Sequence, residues 1–237
     1  MYSVGGAAIR RLRIEAPVGG LYGRAAMSAS VGSEPPRRPP PPAASGSLLP
    51  IETERLLLRA FEPGDIDSLA ALHGDPLLTR WVPWGPRSRA QAEEVLQRKI
   101  AKTTIESEGD GLGIAPVVKG EESETGSGPM IGDFMLQCAS VEHWTAEIGW
   151  MLFAEHQGRG LAAEACEAIL RLAFEDLGFH RVFARIEARN DASLRLAEGL
   201  GMRREAHFVE NEWIRGEWES EIVYAMLARE WSARRDP

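Results

Sequence analysis

Glu147-Ile-Gly-Trp-Met-Leu-Phe-Ala-Glu-His-Gln-Gly-Arg-Gly-Leu-Ala162 decides how this chain folds. The apolar run Ala146–Phe153 predicts a strand, Gln157-Gly-Arg-Gly160 breaks it, and a helical pattern starts at Leu161. A strand, a glycine turn and a helix start, in that order, gather backbone N–H groups that face one way. Such a pocket binds phosphate. Gly158 and Gly160 let the backbone turn tightly and approach an anion closely. The first-turn amides of the helix point outward with its dipole behind them, and Arg159 adds a mobile positive charge. The turn is not a triphosphate P-loop, because no Gly-Lys-Ser/Thr follows. Nor is it the dinucleotide G-x-G-x-x-G, because Ala163 stands at the third glycine position.

Outward from the turn, Leu161–Leu177 reads as a helix, with Leu161, Ala165, Ala168, Ile169, Leu172, Ala173 and Leu177 at helical spacing and Gly178 as its stop. Arg181–Ala188 alternates as a strand. Ala192–Gly199 is a short helix, and Met202–Ile214 with Glu219–Leu227 form a closing antiparallel pair. Upstream, Arg55–Phe61 reads as a strand, Pro63–His73 as a helix, and Ser88 to Glu106 as a longer helix capped by Ser88. Leu112–Lys119 and Met130–Cys138 are strands that flank a polar, mobile hairpin loop, Gly120–Pro129. The order β, α, α, β, β, β, α, β, α, β, β predicts an α/β (α+β) chain. Its sheet is mixed and mostly antiparallel, with one parallel pairing in the central βαβ unit.

The chain has 237 residues, 44% hydrophobic and 26% charged, ordinary for a globular protein. No apolar run reaches the roughly 18–20 residues that cross a bilayer. Cys138 and Cys166 sit in apolar segments without ligand-like spacing, which predicts buried thiols in a reducing, cytoplasmic setting and no metal pair. The net charge is −8. Residues 1–50 hold six arginines against Glu15 and Glu34, so the rest of the chain is more acidic still. An acidic body speaks against nucleic-acid binding and suits a cationic acceptor such as an amine. Residues 1–48, with the run Pro35-Pro-Arg-Arg-Pro-Pro-Pro-Pro42, are too poor in apolar area to offset ordering entropy and predict a disordered extension. The Arg-rich first half is similar to a transit peptide but lacks an amphipathic helix, and Met27 offers an alternative start. The domain proper then spans 49–231, with a tail over 232–237.

Four motifs stand in order: Glu-Ile-Gly-Trp150, Gln157-x-x-Gly160-x-Ala162, Asn190-x-x-Ser193 and Gly201-Met202. Together they resemble the GNAT superfamily of acetyl-CoA-dependent N-acetyltransferases. The opening Glu52-Thr-Glu-Arg-Leu-Leu-Leu-Arg59 is similar to the ribosomal-protein N-terminal acetyltransferase (RimJ/RimL type) branch. The resemblance covers about residues 51–230. It implies the GNAT acyltransferase fold, with a splayed sheet flanked by helices.

The resemblance implies that the amides of Gln157, Gly158, Arg159, Gly160, Leu161 and Ala162 hold the CoA pyrophosphate. The pantetheine arm would lie along Trp150, Met151, Leu152 and Phe153, with an N–H near Met151 or Leu152 polarising the thioester, and Asn190 would bond the pantetheine. The acceptor amine is protonated near neutral pH and needs a base before it attacks. Glu147 is the candidate base, with His143 and His156 as alternatives. Many similar proteins carry a tyrosine acid seven residues after the Asn. Ala197 stands there, which leaves Ser193 as the nearest hydroxyl. Trp81 and Trp84 are placed to wall the acceptor groove, where aromatics pack an apolar group or contact a cation. Glu210-Asn-Glu212, near the last hairpin, is a further place for a cation.

The reaction so implied is direct acetyl transfer to a primary amine in a ternary complex, with no metal and no covalent enzyme intermediate. A protein N-terminal α-amine is the first acceptor, and a small-molecule amine such as an aminoglycoside or polyamine the second. The rival class is a non-catalytic acyl-CoA sensor. Many similar proteins are dimers, so a homodimer is compatible with the resemblance.

Overall fold

The computed structural model describes residues 48–121 and 128–234. The expected disordered extension up to residue 47, the centre of the expected mobile loop and the last three residues of the tail lie outside the described residues. Eight strands form a single sheet: β1 (Ile51–Glu52), β2 (Leu56–Ala60), β3 (Gly111–Val118), β4 (Gly132–Ser140), β5 (Thr145–Leu152), β6 (Arg181–Glu187), β7 (Arg203–Ile214) and β8 (Glu217–Leu227). Their spatial order is β1-β2-β3-β4-β5-β6-β8-β7. Every pairing is antiparallel except β5 with β6.

Among the described residues, five α-helices accompany the sheet: α1 (Ile66–Gly74), α2 (Arg89–Ala101), α3 (Leu161–Arg171), α4 (Asp191–Gly199) and α5 (Ala228–Ala233). Strand alternation divides the core between the two faces. Leu136, Ile148, Val182 and Ile222 pack with α3 and α4, while Phe61, Ala115, Met151 and Phe153 pack with α1 and α2. The amphipathic repeat of α3 explains its place: Leu161, Ala165, Ala168 and Ile169 are all buried. Removing a side chain such as Ile169 costs about 2–5 kcal/mol at a site this enclosed.

Several boundaries differ from the periodicity. Ser88 does cap α2, in a reciprocal box with Gln91, but the helix stops at Ala101 instead of Glu106. The Asp110 carboxylate collects the N–H groups of Glu106 and Ser107 into a turn that feeds β3. The long helix after the glycine turn is α-helical only to Arg171. Leu172–Asp176 winds as a π-turn, closed by Leu177 N–H to Leu172 O at 2.9 Å. The β3–β4 ladder ends at Ile114 opposite Phe134. Pro116 lies just beyond and has no N–H to continue it, although its carbonyl still accepts from Ile131 N–H at 2.8 Å.

The parallel contact positions everything that follows. β5 and β6 pair only through Thr145↔Arg181, Ala146↔Val182 and Glu147↔Phe183. β6 then departs with β8, to which it is bonded over seven residue pairs. From Ile148 to Leu152, β5 has a neighbour on the β4 side alone.

Candidate active site

The site starts at the open edge of β5. Phe153 N–H donates to Ile131 O at 3.0 Å, so Phe153 faces β4. Two-residue alternation then directs the N–H and C=O of Met151 and Gly149 into β4 as well. The backbone of Ile148, Trp150 and Leu152 faces the gap left by β6. Of the two amides expected near the thioester, Leu152 is the one aimed into the gap. The Leu152 carbonyl is held by Gln157 Nε2 at 2.9 Å, so the glutamine side chain ties the strand end to the glycine turn.

The free amides of the turn begin one residue later than expected, because Gln157 N–H donates to Ala154 O at 3.1 Å. Gly158 and Gly160 have φ of 69° and 78°, a left-handed conformation that costs other L-residues about 1–2 kcal/mol. Glu164 N–H opens the helical ladder by bonding Gly160 O. Among the described residues, the N–H groups of Gly158 through Ala163 donate to no protein acceptor. A Cβ on Gly158 would meet nothing within 4 Å, so the cradle is open in front. Six amides at a helix start fit a diphosphate.

What braces this turn was not apparent from spacing. Glu164 accepts from Thr53 Oγ1 at 2.6 Å, from Arg55 N at 2.7 Å and from Arg55 Nε at 2.6 Å. Arg55 also donates to Arg159 O at 2.9 Å. Burial alone would raise the Glu164 carboxyl, but these donors outweigh it and hold it below the usual carboxylate range. Arg59 makes a bidentate pair with buried Asp65, both bonds 2.7 Å, at the start of α1. The opening Thr-Glu-Arg-Leu-Leu-Leu-Arg therefore fastens scaffold to scaffold.

The other candidate residues line one cleft of ≈ 1150 Å³, except Phe153, Arg159, His143 and Glu210. Glu147 lines it where β5 and β6 part. Its Oε1 accepts from Arg185 Nε at 3.1 Å, and Glu221 approaches the same guanidinium at 3.9 Å. Burial, then repulsion from Glu212 and Glu147, outweigh Arg185 and push the Glu221 carboxyl above its ordinary value. Ser193 Oγ accepts from Trp150 Nε1 at 3.1 Å. Its N–H is capped by Asn190 Oδ1 at 3.2 Å, so that oxygen is engaged in starting α4. Ala197 is fully buried in the core and offers no group to the cleft. His156 borders the cleft and His143 does not.

Trp81 and Trp84 both line the cleft. Arg80 lies over Trp81 at 4.5 Å, and Arg87 over Trp84 at 3.6 Å. Arg215, at the turn between β7 and β8, braces this segment by donating to the carbonyls of Thr79, Arg80 and Val82 at 3.1, 2.6 and 3.0 Å. Glu210-Asn-Glu212 is not the hairpin tip. It forms a bulge in β7 opposite Ser220, where Glu210 has a φ of 49°. Asn211 and Glu212 border the cleft from there.

Behind Trp84 lies a buried polar chain that no spacing revealed. Asp133 accepts from Lys99 Nζ at 2.6 Å and bonds His73 Nε2 at 2.8 Å, and His73 Nδ1 meets Arg87 at 3.0 Å. Arginine can only donate, so Nδ1 accepts and the imidazole proton sits on Nε2, directed at Asp133. Burial would raise the Asp133 carboxyl, but Lys99 and His73 hold it below the usual range. Both cysteines are buried, and burial, with Glu167 nearby, drives the Cys166 thiol far above a usable range for a nucleophile.

Comparisons with known proteins agree with this geometry. A family model described as an acetyltransferase (GNAT) domain matches residues 55–203. The chain is 31% identical to the uncharacterized N-acetyltransferase YnaD of Bacillus subtilis (strain 168), over 77% of this chain and 99% of that one. It is 25% identical to spermidine N(1)-acetyltransferase of Vibrio cholerae, over 70% and 88%. The crystal structure of an acetyltransferase (GNAT family) from Bacillus anthracis matches with a TM-score of 0.67 at 27% identity, covering 77% of this chain and 100% of that chain. The chain belongs to the acetyltransferase (GNAT) family and is an N-acetyltransferase.

Proposed function

We propose that the protein transfers acetyl from acetyl-CoA directly to a primary amine, and that the acceptor is a protein N-terminal α-amine. The observation that carries the reading is the open edge of β5, which runs from an unpartnered amide cradle at one end to Glu147 at the other. The amides of Gly158–Ala163 hold the diphosphate. Trp150 and Leu152 offer backbone bonds along the gap, and the Leu152 N–H stabilises the oxyanion that forms as the amine attacks. Glu147 takes the amine proton, directly or through a water. The C–N bond forms as the carbonyl opens to the oxyanion, and the C–S bond then breaks as the carbonyl re-forms, with CoA departing as the thiolate. Ser193 accepts from Trp150, which leaves its own O–H available to protonate that sulfur. With a thiol pKa near 8.5, the thiolate also leaves without help.

An α-amine, with a pKa near 8, asks less of a base than a polyamine nitrogen near 10.4. The branch resemblance of Glu52–Arg59 also favours the N-terminal acceptor. A second reading, a polyamine acceptor, draws on the carboxylates Glu147, Glu212, Glu219 and Glu221 around the cleft.

Calorimetry with CoA alongside thiol release over a panel of free-N-terminus peptides, spermidine and aminoglycosides tests the proposal. CoA binding with turnover on peptides is expected. Glu147→Gln should lower kcat on the same peptide by about 10²-fold or more, while CoA affinity stays near that of the parent. Binding of CoA with no turnover on any amine would favour the sensor. An unchanged rate in Glu147→Gln would remove Glu147 as the base.

A further inference from the structure

The acceptor half of the cleft is divided by charge. Along β5, β7 and β8 stand Glu147, Glu212, Glu219 and Glu221, answered by Arg185 and Arg215. On the α2 side stand Arg87, Arg98 and Lys102. Among the described residues, none of these three cations makes an ion pair with a carboxylate. Arg87 is half-buried, fixed by Trp84 and His73, and close enough to Arg98 for the two charges to repel. Burial first, then Arg98, lower its pKa. The neighbouring Lys99, by contrast, is neutralised by Asp133. Two guanidiniums and an ammonium face the cleft with no carboxylate in contact, although Arg87 feels the charge of Asp133 beyond His73; such a cluster is poised for an anion.

That anion is not the CoA diphosphate. The amide cradle opens α3, which packs on the opposite sheet face from α2. Along the acceptor face, the register steps from Gln137 and Glu147 through Met135 and Gly149 to Asp133 and Met151. Four residues of strand separate Glu147 from Met151, roughly 13 Å. Asp133 leads through His73 to Arg87. The floor between the poles is low, because Gly149 has no side chain and Met135 lies across it.

We infer that the acceptor carries an anionic group about three extended residues from its reacting amine, seated on Arg87, Arg98 and Lys102 while the amine sits at Glu147. In an N-terminal acceptor this is an acidic side chain within the first four residues. The inference rests on the acetyl-transfer reading above and refines its acceptor.

The test titrates the CoA-loaded enzyme with three free-N-terminus hexapeptides that differ at positions two to four, carrying Glu, Gln or Lys. 8-Aminooctanoate and 1,8-diaminooctane serve as small-molecule counterparts. Binding is read by calorimetry and turnover by thiol release. The Glu peptide should bind on the order of ten-fold tighter than its Gln twin, and the Lys twin weakest. R98Q with K102Q, both exposed, one on α2 and one just past its end, and both outside the buried chain, should shrink the Glu-over-Gln preference to within about two-fold. Aminooctanoate binding with no peptide binding would keep the anion subsite and overturn the N-terminal acceptor. Equal or tighter binding of the Lys peptide or diaminooctane, or a preference that survives R98Q/K102Q, would overturn the subsite, whatever turnover shows.

Discussion

One guanidinium, Arg185, is shared by Glu147 and Glu221, and the sharing makes the base region sensitive to that arginine. In Arg185→Gln, Glu221 loses the charge that lowers its pKa and keeps the burial and the two carboxylates that raise it. Its carboxyl should therefore rise further. The acidic limb of kcat/KM against pH should move to higher pH; a limb that stays in place would mean that this cluster does not titrate in the rate. Glu147 was legible because it sits on the strand that leads into the glycine turn. Glu221 was not, because its nearness to Glu147 arises only when β6 joins β5 on one side and β8 on the other. The same holds for His73 and Asp133, which no local pattern links. Ser193 was legible as a hydroxyl three residues after Asn190, yet its bond to Trp150 depends on α4 folding back over β5.

At the scale of elements, the glycine turn and α3 follow from periodicity and from two residues that tolerate positive φ. Gly160→Val tests this. Its φ of 78° is strained for valine, and the new side chain would meet Arg55 Nη2, which lies 3.4 Å from a Cβ there. The variant should lose about 1–2 kcal/mol of stability in denaturant unfolding and bind CoA on the order of ten-fold more weakly. Parental CoA affinity would show that the turn does not hold the diphosphate. The Glu52–Arg59 motif teaches a different lesson. The letters were readable as a resemblance, but their physical task was not, since Thr53 and Arg55 act on Glu164 and Arg159 far along the chain. The π-turn at Leu172–Asp176 was hidden because its apolar positions also satisfy a helical repeat. The early end of α2 was hidden because it depends on the Asp110 turn.

For the whole molecule, charge sets the stability against pH. Asp133, Glu164 and Glu205 are held below their ordinary values in the folded state. Each contributes stability that is present above the unfolded carboxylate pKa of about 4 and is lost as pH falls through the lower folded value. Glu221 acts in the opposite sense: its stabilisation is present at low pH and lost as pH rises through its raised value. Three depressed groups outnumber one raised group, so urea midpoints should fall steadily from pH 5 to pH 3. Asp133→Asn should flatten that fall while lowering the midpoint at pH 7. A midpoint indifferent to pH across this range would contradict the network. The mixed sheet and its single parallel contact were legible from the order of elements. The insertion of β8 between β6 and β7 was not, because hydrophobic alternation gives a strand no address in the sheet.

That insertion also orders events in time. A ribosome releases β6, α4 and β7 before β8 exists, so until the chain passes Leu227 the edge of β6 is held by three residue pairs to β5 and is bare on its other side. A nascent chain stopped before Glu217 carries the whole amide cradle and all of β5, but it also presents an unpaired strand edge to any neighbour. Premature termination in the last hairpin is thus expected to yield aggregates in place of a slow enzyme, and the span between Glu217 and Leu227 is where translation and quality control meet.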